Sequence, residues 1–207
     1  MKVPKVLNLG SGKQFLDDAL NVDHSPLWRP DIVADLNQPF PLQAGQPYFT
    51  ERFGPVVLER ESMDEIFAFD LLEHLRELTV AMTSCLHLLR PGGLMHIQVP
   101  YELSVGAWSD PTHVRAFNER SWTYYTAWPW YLGWTEARFH LEELDYVLAD
   151  RGQELANRGV KLEELLATPR AVDAMKLSLR KVRITVEERQ RMEAAGYLGA
   201  RPMPAHA

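Results

Sequence analysis

One stretch of the sequence, residues 65–99, restricts the folds open to this chain more than any other. Residues 65–69 have the pattern of a buried strand, and apolar residues then recur at three- and four-residue steps over 71–89, the pattern of a helix. A Pro-Gly-Gly sequence at 91–93 ends that helix, and 94–99 alternate as the next strand. A strand, a helix and a second strand in this order predict a crossover unit of a parallel sheet.

Three more strands are predicted before this unit. The short apolar runs at 5–9, 19–23 and 31–35 each fit a buried strand. Residues 37–62 contain several prolines and glycines among mixed residues, which predicts a loop with one short helix or turn. The first half of the chain therefore has the element order of an α/β domain.

The second half of the chain is less clear from its pattern. Residues 118–132 are rich in aromatic side chains and are predicted to begin as a helix capped by Asn118; their rings could line an acceptor pocket or pack in the core. Residues 139–148 fit either a helix or a strand. Residues 175–186 fit a strand with a bulge after Arg180.

We predict a single domain over residues 1–195. Within it, 150–170 have the pattern of a helical insertion; 196–207, after the domain, have that of a loose C-terminal tail. A chain of 207 residues, 46% of them apolar, is large enough to bury one core.

Charge and composition limit the partners. A net charge of −6, with acidic residues spread along the chain, argues against nucleic acid, because phosphates need a concentrated Lys/Arg surface. No apolar run reaches the roughly 20 residues that cross a bilayer, and the first residues show no secretory signal. The single cysteine, Cys85, can form no internal disulfide. We therefore expect a cytoplasmic protein that acts neither on nucleic acid nor at a membrane.

A Gly-Ser-Gly turn at 10–12 follows the first predicted strand, where glycines let the backbone approach a ligand closely. The turn is not a Walker loop, because Leu7 and Gln14 stand where that motif needs a glycine and a Ser or Thr. The dinucleotide fingerprint is also disfavoured. Phe15 replaces its third small residue, and Asp23 comes too early for its acid, which is expected about 20 residues on.

Three aspartates end predicted strands. Asp23 could accept two hydrogen bonds from ribose hydroxyls, or it could be a surface acid. Asp35 could bind an adenine amino group or cap a turn. Asp70 lies where a ligand crossing the carboxyl edge of the sheet would pass, or it could cap the helix at 71–89.

Taken together, these stretches resemble the class I S-adenosylmethionine-dependent methyltransferases, and more narrowly a small bacterial and phage branch with a shortened first helix. The matching stretches run in the family's order: 7–12, 20–23, 31–36, 63–66, 72–75 and 89–94. The resemblance implies an α/β fold: a Rossmann-like, seven-stranded, mostly parallel sheet with helices on both faces. It also implies an antiparallel edge hairpin near 138–148 and 175–187.

The resemblance further implies S-adenosylmethionine as the cofactor. The residues implied to contact it follow the carboxyl ends of the strands: Gly10, Ser11, Gly12, Asp23, His24, Asp35, Leu36, Asp70 and Leu71. The glycines would flank the methionine part, Asp23 would hold the ribose, and Asp35 with Leu36 would border adenine. Asn8 and Gln14 depart from the pattern, because the family often has an acid and a glycine at these places.

Functional loops leave the carboxyl ends of parallel strands, so residues 101–117 are expected to form the acceptor side. His113 could take a proton from an acceptor hydroxyl, with Asp110 orienting its imidazole; these two are the catalytic candidates. The candidates for substrate binding are Tyr101, Glu102, Trp108 and Arg115. Arg115 could hold an anionic group. The same residues could instead form a hydrogen-bonded turn that holds the loop.

His74, in the predicted helix, could join Asp110 and His113 as ligands of a divalent metal. Such a site needs a closeness in space that the sequence does not show, so no metal is assigned. Glu73 and His74 are expected to be cofactor-edge or packing residues.

We therefore predict an S-adenosylmethionine-dependent methyltransferase that acts on a hydroxyl or amine of a small molecule or glycan. The alternative is an S-adenosylmethionine-binding protein without transfer activity, acting as a scaffold or partner.

Overall fold

The structure of the chain is a computed structural model that describes residues 3–41 and 45–198. The described strands are β1 (Val6–Leu9), β2 (Leu20–Asp23), β3 (Ile32–Val33), β4 (Pro47–Thr50), β5 (Gly54–Val57), β6 (Met63–Phe69), β7 (Leu89–Pro100), β8 (Ala137–Leu148) and β9 (Val172–Arg183). The described α-helices are α1 (Leu78–Leu88), α2 (Gly106–Ser109), α3 (Thr123–Thr126), α4 (Asp150–Asn157), α5 (Leu162–Leu166) and α6 (Val186–Ala194).

Seven of the strands form one sheet in the order β3-β2-β1-β6-β7-β9-β8, and β4 and β5 pair separately as an antiparallel hairpin. The first five strands of that order are parallel, whereas β9 runs antiparallel to both β7 and β8. The Rossmann-like, mostly parallel sheet with an antiparallel edge hairpin is thus confirmed. The chain runs from β1 outward to β2 and β3 on one side, and later continues with β6 on the other side of β1. Open α/β sheets bind ligands at the carboxyl ends of the strands where the strand order reverses in this way.

The crossover unit has the predicted strands but a shorter helix. α1 begins at Leu78, and Leu72–His74 form a separate turn of 3-10 helix, so the predicted helix start at Leu71 is wrong. Leu72 and Leu75 are nevertheless buried. Leucines in a buried turn thus have the same spacing as the apolar face of a helix, and this spacing led to the wrong helix start.

The connections between the first strands contain turns in place of α-helices. Within the described chain, 10–19 form turns only, so the shortened first helix is absent, and β2 connects to β3 through one 3-10 turn, Pro26–Trp28. Residues 37–62 are predicted to be a loop with one short helix or turn; their described part, 37–41 and 45–62, contains turns and, in addition, the β4–β5 hairpin. The Thr50 hydroxyl supports its bend by donating to the Gly54 carbonyl at 3.0 Å.

The second half resolves the ambiguous patterns. Residues 139–148 lie in β8, and its pairing with β9 has two irregularities: Glu142 is the extra residue on β8, and Asp173 is the extra residue on β9. The bulge predicted after Arg180 is therefore misplaced. Asn118 caps a helical turn as predicted, although that turn is 3-10 helix and leads into α3.

Lys181 explains the interrupted alternation of β9. The side chain points into the protein and is 2% exposed. Its Nζ donates to the Leu89 carbonyl at 2.7 Å and lies 3.2 Å from Glu61 Oε1. A buried lysine is tolerated because both partners satisfy its charge, and a hydropathy pattern cannot anticipate that pairing.

Aromatic residues of the 118–132 segment divide between core and surface. Trp122 and Tyr125 are buried, whereas Tyr124, Trp128 and Tyr131 are exposed.

Further along, α4 and α5 occupy the stretch predicted to be a helical insertion. None of the helices in residues 3–41 and 45–198 is long and apolar enough to cross a membrane. Of the predicted tail at 196–207, residues 199–207 lie outside the described residues.

Candidate functional site

The turn after β1 allows a ligand to approach the backbone closely. Gly10 and Gly12 have φ angles of +64° and +43°, in the left-handed region that favours glycine. A Cβ on Gly10 would lie 2.8 Å from Leu71 Cδ1, so a side chain there would force Leu71 to move. Ser11 is buried, and among the described residues its hydroxyl has no hydrogen-bond partner. A buried hydroxyl of this kind marks a place where a ligand can complete the hydrogen bonding.

Asp23 ties this turn to the end of β2. Its Oδ2 accepts a hydrogen bond from the N–H of Gly12 at 2.9 Å, and its Oδ1 accepts one from the N–H of Ser25 at 2.8 Å. The residue is 6% exposed, so its interpretation as a surface acid is wrong. Each carboxylate oxygen retains a second lone pair. The neighbouring His24 has an exposed side chain.

Beneath the turn lies a polar network that sequence analysis missed. Asn8 Nδ2 donates to the Gln14 carbonyl at 2.7 Å and to Asn21 Oδ1 at 2.9 Å. An ionised aspartate at position 8 could donate neither bond. This is a structural reason for asparagine where the family often has an acid. The Asn21 N–H donates in turn to Asp31 Oδ2, and the Arg52 guanidinium binds both oxygens of Asp31 at 2.8 and 2.7 Å.

Asp31 is held ionised by this network. Burial alone would raise the pKa of Asp31, but the hydrogen bonds from Arg52 and Asn21 outweigh burial and lower the pKa below its usual value. Arg52 also donates to the Asp17 and Ala19 carbonyls at 2.9 and 2.6 Å. One guanidinium therefore fastens the chain after β4 to the turns that precede β2.

The residues implied to border adenine take two different positions. Asp35 is exposed, and its Oδ1 accepts hydrogen bonds from the backbone N–H and the side-chain amide of Asn37, both at 2.9 Å. The turn cap is therefore the observed role of one oxygen of Asp35, and the other oxygen remains available. Leu36 is 6% exposed and packs in the core.

Asp70 adopts an uncommon backbone conformation at the end of β6. Its φ angle is +50°, a left-handed conformation that costs a side-chain-bearing residue of order 1–3 kcal/mol and tends to occur at functional sites. Asp70 is exposed, and Gln98 Nε2 donates to its carboxylate at 3.1 Å. The helix-cap role predicted for Asp70 is wrong, because α1 begins only at Leu78 and its N-cap is Glu77.

The acceptor loop is fastened along the segment that follows β6. The Val114 N–H donates to the Glu73 carbonyl at 2.9 Å. Arg115 Nη2 donates to the Leu75 and Arg76 carbonyls at 2.6 and 2.8 Å, and burial lowers the pKa of Arg115. Arg115 is therefore a brace for the loop, and its predicted role of holding an anionic acceptor is not supported by these contacts.

His113 and Asp110 do not form the predicted pair. His113 Nδ1 lies 3.0 Å from the Ala107 carbonyl oxygen, to which it must donate. Asp110 Oδ1 instead accepts from the N–H and the hydroxyl of Thr112 at 2.8 and 2.6 Å. The same hydroxyl lies 2.9 Å from His74 Nδ1, so Asp110 orients His74 through Thr112 and does not orient His113.

Glu73 is a functional candidate that the sequence placed only among cofactor-edge or packing residues. It is 1% exposed, and within the described chain neither carboxylate oxygen has a hydrogen-bond partner. Burial raises the pKa of Glu73 to about 7. The rings of His74 and His113 meet edge to face nearby, with centroids 4.6 Å apart. The sequence signal for this site was a Glu-His pair just after the carboxyl end of a strand, but the sequence alone does not show that Glu73 is buried.

The other residues predicted to bind the acceptor differ in how far solvent, and therefore a ligand, can reach them. Tyr101 is 2% exposed, and its hydroxyl lies 3.2 Å from both Glu119 Oε2 and the Leu166 carbonyl, so it belongs to the core and not to an acceptor site. Glu102 Oε2 accepts from Asn118 Nδ2 at 3.0 Å. Trp108 is 63% exposed and is open to a ligand.

No protein-family model and no curated protein sequence matches this chain. Solved structures match its fold. An S-adenosylmethionine-dependent methyltransferase from Archaeoglobus fulgidus matches with a TM-score of 0.53 and 16% identity over 86% of both chains. A complex of the Haloferax volcanii Trm112 methyltransferase activator with a methyltransferase gives 0.53 and 14%, covering 87% of this chain and 84% of that chain.

The [4+2]-cyclase SpnF matches with a TM-score of 0.52 and 15% identity, over 86% of this chain and 74% of that chain. At these identities the likeness concerns the fold. The chain has the fold found in class I S-adenosylmethionine-dependent methyltransferases.

Proposed function

Starting from this methyltransferase fold, we propose that the chain binds S-adenosylmethionine at the turn after β1 and transfers the methyl group to a small-molecule or glycan hydroxyl or amine. The observation that carries the proposal is the turn itself. Two glycines with positive φ flank the buried hydroxyl of Ser11, which has no partner in the described part of the chain, at the point where the sheet order reverses.

The residues around the turn fit this cofactor. Ser11 can donate a hydrogen bond, and Asp23 keeps lone pairs for ribose hydroxyls while it holds the turn. Asp70 is exposed and directly precedes Leu71, which lies against Gly10. When bound, the cofactor would supply an electrophilic methyl group on a sulfonium.

On the acceptor side, His113 has one ring nitrogen free to act. Its Nδ1 carries a proton to the Ala107 carbonyl, so in the neutral ring Nε2 is an acceptor. Such a nitrogen can take a proton from a hydroxyl or an ammonium. The exposed indole of Trp108 offers an apolar face for a sugar or other ring.

Donor binding is tested by calorimetry with S-adenosylmethionine and S-adenosylhomocysteine. We expect the unmodified chain to bind both at one site and Gly10→Ala to lose binding, because its new methyl group meets Leu71. Gly133→Ala is the matched control: Gly133 has a φ of +72°, so the backbone strain is similar, but a Cβ there meets nothing within 4 Å.

Ser11→Ala keeps the turn and removes only the hydroxyl, and it should weaken binding while melting like the unmodified chain. Absence of donor binding by the unmodified chain, or equal loss in Gly133→Ala, would overturn the assigned pocket.

A second candidate function is donor binding without transfer. It is favoured by one observation: a protein of the same fold is a [4+2]-cyclase, and cyclisation is not methyl transfer. Formation of S-adenosylhomocysteine over a panel of hydroxyl and amine acceptors separates the two functions. Donor binding with no conversion on any acceptor would favour this second function.

A further inference from the structure

Three potential ligand atoms converge where the segment after β6 meets the acceptor loop. One carboxylate oxygen of Glu73 and one ring nitrogen each of His74 and His113 lie within 4.8 Å of one another. The two imidazoles are half-buried and can be reached from solvent, whereas Glu73 lies beneath them and is 1% exposed. In residues 3–41 and 45–198, neither oxygen of Glu73 has a hydrogen-bond partner.

The hydrogen bonds fix the tautomer of each neutral histidine. A carbonyl oxygen can only accept, so His113 Nδ1 carries its proton towards Ala107. The Thr112 hydroxyl has one proton, and at 2.6 Å it donates that proton to Asp110 Oδ1. The hydroxyl must therefore accept from His74 Nδ1, at 2.9 Å. Both neutral rings keep Nε2 as a lone-pair donor.

Two nitrogen lone pairs and an ionised buried carboxylate in close proximity repel one another unless a proton or a metal cation lies between them. We propose that Glu73, His74 and His113 bind a first-row divalent transition-metal ion. Two imidazoles and a carboxylate suit Zn²⁺, Co²⁺, Mn²⁺ or Fe²⁺, whereas Mg²⁺ and Ca²⁺ prefer oxygen ligands throughout.

The surrounding hydrogen bonds are those that metal-binding histidines have. A ligating imidazole usually donates its other N–H to a carbonyl or carboxylate, which sets the ring's orientation and raises its basicity. His113 has the Ala107 carbonyl in this role, and His74 has the Thr112–Asp110 pair. This also assigns a positioning role to the Asp110 carboxylate, which accepts from Thr112, whereas His113 is bonded to the Asp110 backbone, its N–H donating to the Asp110 carbonyl at 3.2 Å.

Three protein ligands leave coordination positions open. If the proposed transfer function holds, on which this step rests, those positions would take an acceptor oxygen, and the metal would lower the pKa of that hydroxyl. His113 would then act as a ligand and not as the proton acceptor. The acceptor class favoured by this site is a compound with a metal-binding oxygen, such as a hydroxyl beside a carbonyl or carboxylate.

The metal site is tested on the full chain, stripped with a chelator and assayed without any methyl donor. Calorimetric titration with Zn²⁺ should show one ion per chain, and Co²⁺ should give the visible absorption of a bound, low-coordinate ion. Glu73→Gln and His113→Ala should each lower the Zn²⁺ affinity by at least 10-fold. Thr112→Val, which only breaks the link to Asp110, should lower it by roughly 10- to 100-fold. His140→Ala, at an exposed histidine of β8, is the matched control and should bind as the unmodified chain does.

Circular dichroism establishes that each variant is folded before its affinity is compared. The proposal is overturned if Zn²⁺ binding is not saturable at one ion per chain. It is also overturned if Glu73→Gln binds as tightly as the unmodified chain, or if His140→Ala loses as much affinity as His113→Ala. Because no donor is present, failure of the metal site and failure of the proposed cofactor pocket give separate results.

Discussion

The polar network beneath the turn after β1 and the buried carboxylate of Glu73 on the acceptor side differ in their hydrogen bonding. On the donor side, Asn8, Asn21 and Asp31 are hydrogen-bonded to one another or to Arg52 and the backbone. On the acceptor side, both oxygens of Glu73 lack a partner within the described residues. Satisfied polar groups hold a scaffold, and unsatisfied ones indicate where a ligand is needed. The network beneath the donor side is therefore complete without a ligand, whereas Glu73 on the acceptor side, like Ser11 at the donor turn, lacks a partner within the described residues.

The largest effect should come from breaking the donor-side network at Arg52. Arg52→Ala leaves the Asp31 carboxylate, with a side chain only 3% exposed, without its ionic partner. Removing one partner of such a pair destabilises by roughly 3 kcal/mol. Chemical denaturation measures the loss. Arg60→Ala removes a pair in which both side chains are exposed and should cost less than about 1 kcal/mol. Equal losses in the two variants would contradict a network held by Arg52.

Acid should weaken the same network by a smaller amount. The folded-state pKa of Asp31 is lowered, so its contribution is present above the unfolded pKa of about 3.9 and is lost as the pH falls towards the folded value. The free energy of unfolding should therefore decrease below about pH 5 more steeply in the unmodified chain than in Asp31→Asn. Denaturation curves between neutral and acidic pH test this, and parallel decreases would exclude Asp31 as the cause.

On the acceptor side, removing a polar group should have the opposite sign. Glu73→Met puts an apolar side chain of similar size in place of a buried carboxylate that has no hydrogen-bond partner among the described residues. In chelator-treated protein it should raise the free energy of unfolding by about 1 kcal/mol. Thermal or chemical unfolding measures the change. A decrease would mean that Glu73 has a structural partner, and the contrast between the two sides would not hold.

The smallest effect on stability is expected at Trp108. Its indole is 63% exposed, so Trp108→Ala should change the free energy of unfolding by no more than about 0.5 kcal/mol. Acceptor turnover should nevertheless fall if the indole contacts the acceptor. Unchanged kcat and KM on every accepted substrate would remove Trp108 from the acceptor site.

The sequence predicts the fold well where hydrophobic pattern and strand ends decide the structure. The crossover unit and the strand ending at Asp23 follow from burial on both faces of a parallel sheet. It fails where local hydrogen bonds decide. Leucines at helical spacing lie in a 3-10 turn before α1, and a hairpin occupies residues 47–57.

The site is predicted only in part, for a related reason. A turn such as Gly10–Gly12 is local, and its position in the fold follows from the strand before it. The pairing of Asp31 with Arg52 and the close approach of Glu73 to His113 join distant parts of the chain. Burial without a partner is a property of the folded chain, which no spacing of residues records.

The contact between Gly10 and Leu71 has a thermodynamic consequence. Leu71 touches the glycine turn, and two residues later the chain reaches Glu73. The proposed donor pocket and the proposed metal site thus share one short length of backbone. If occupancy of either site changes the affinity of the other, linkage requires the factor to be identical in both directions. Two titrations, each in the presence and absence of the other ligand, would therefore report a single coupling energy.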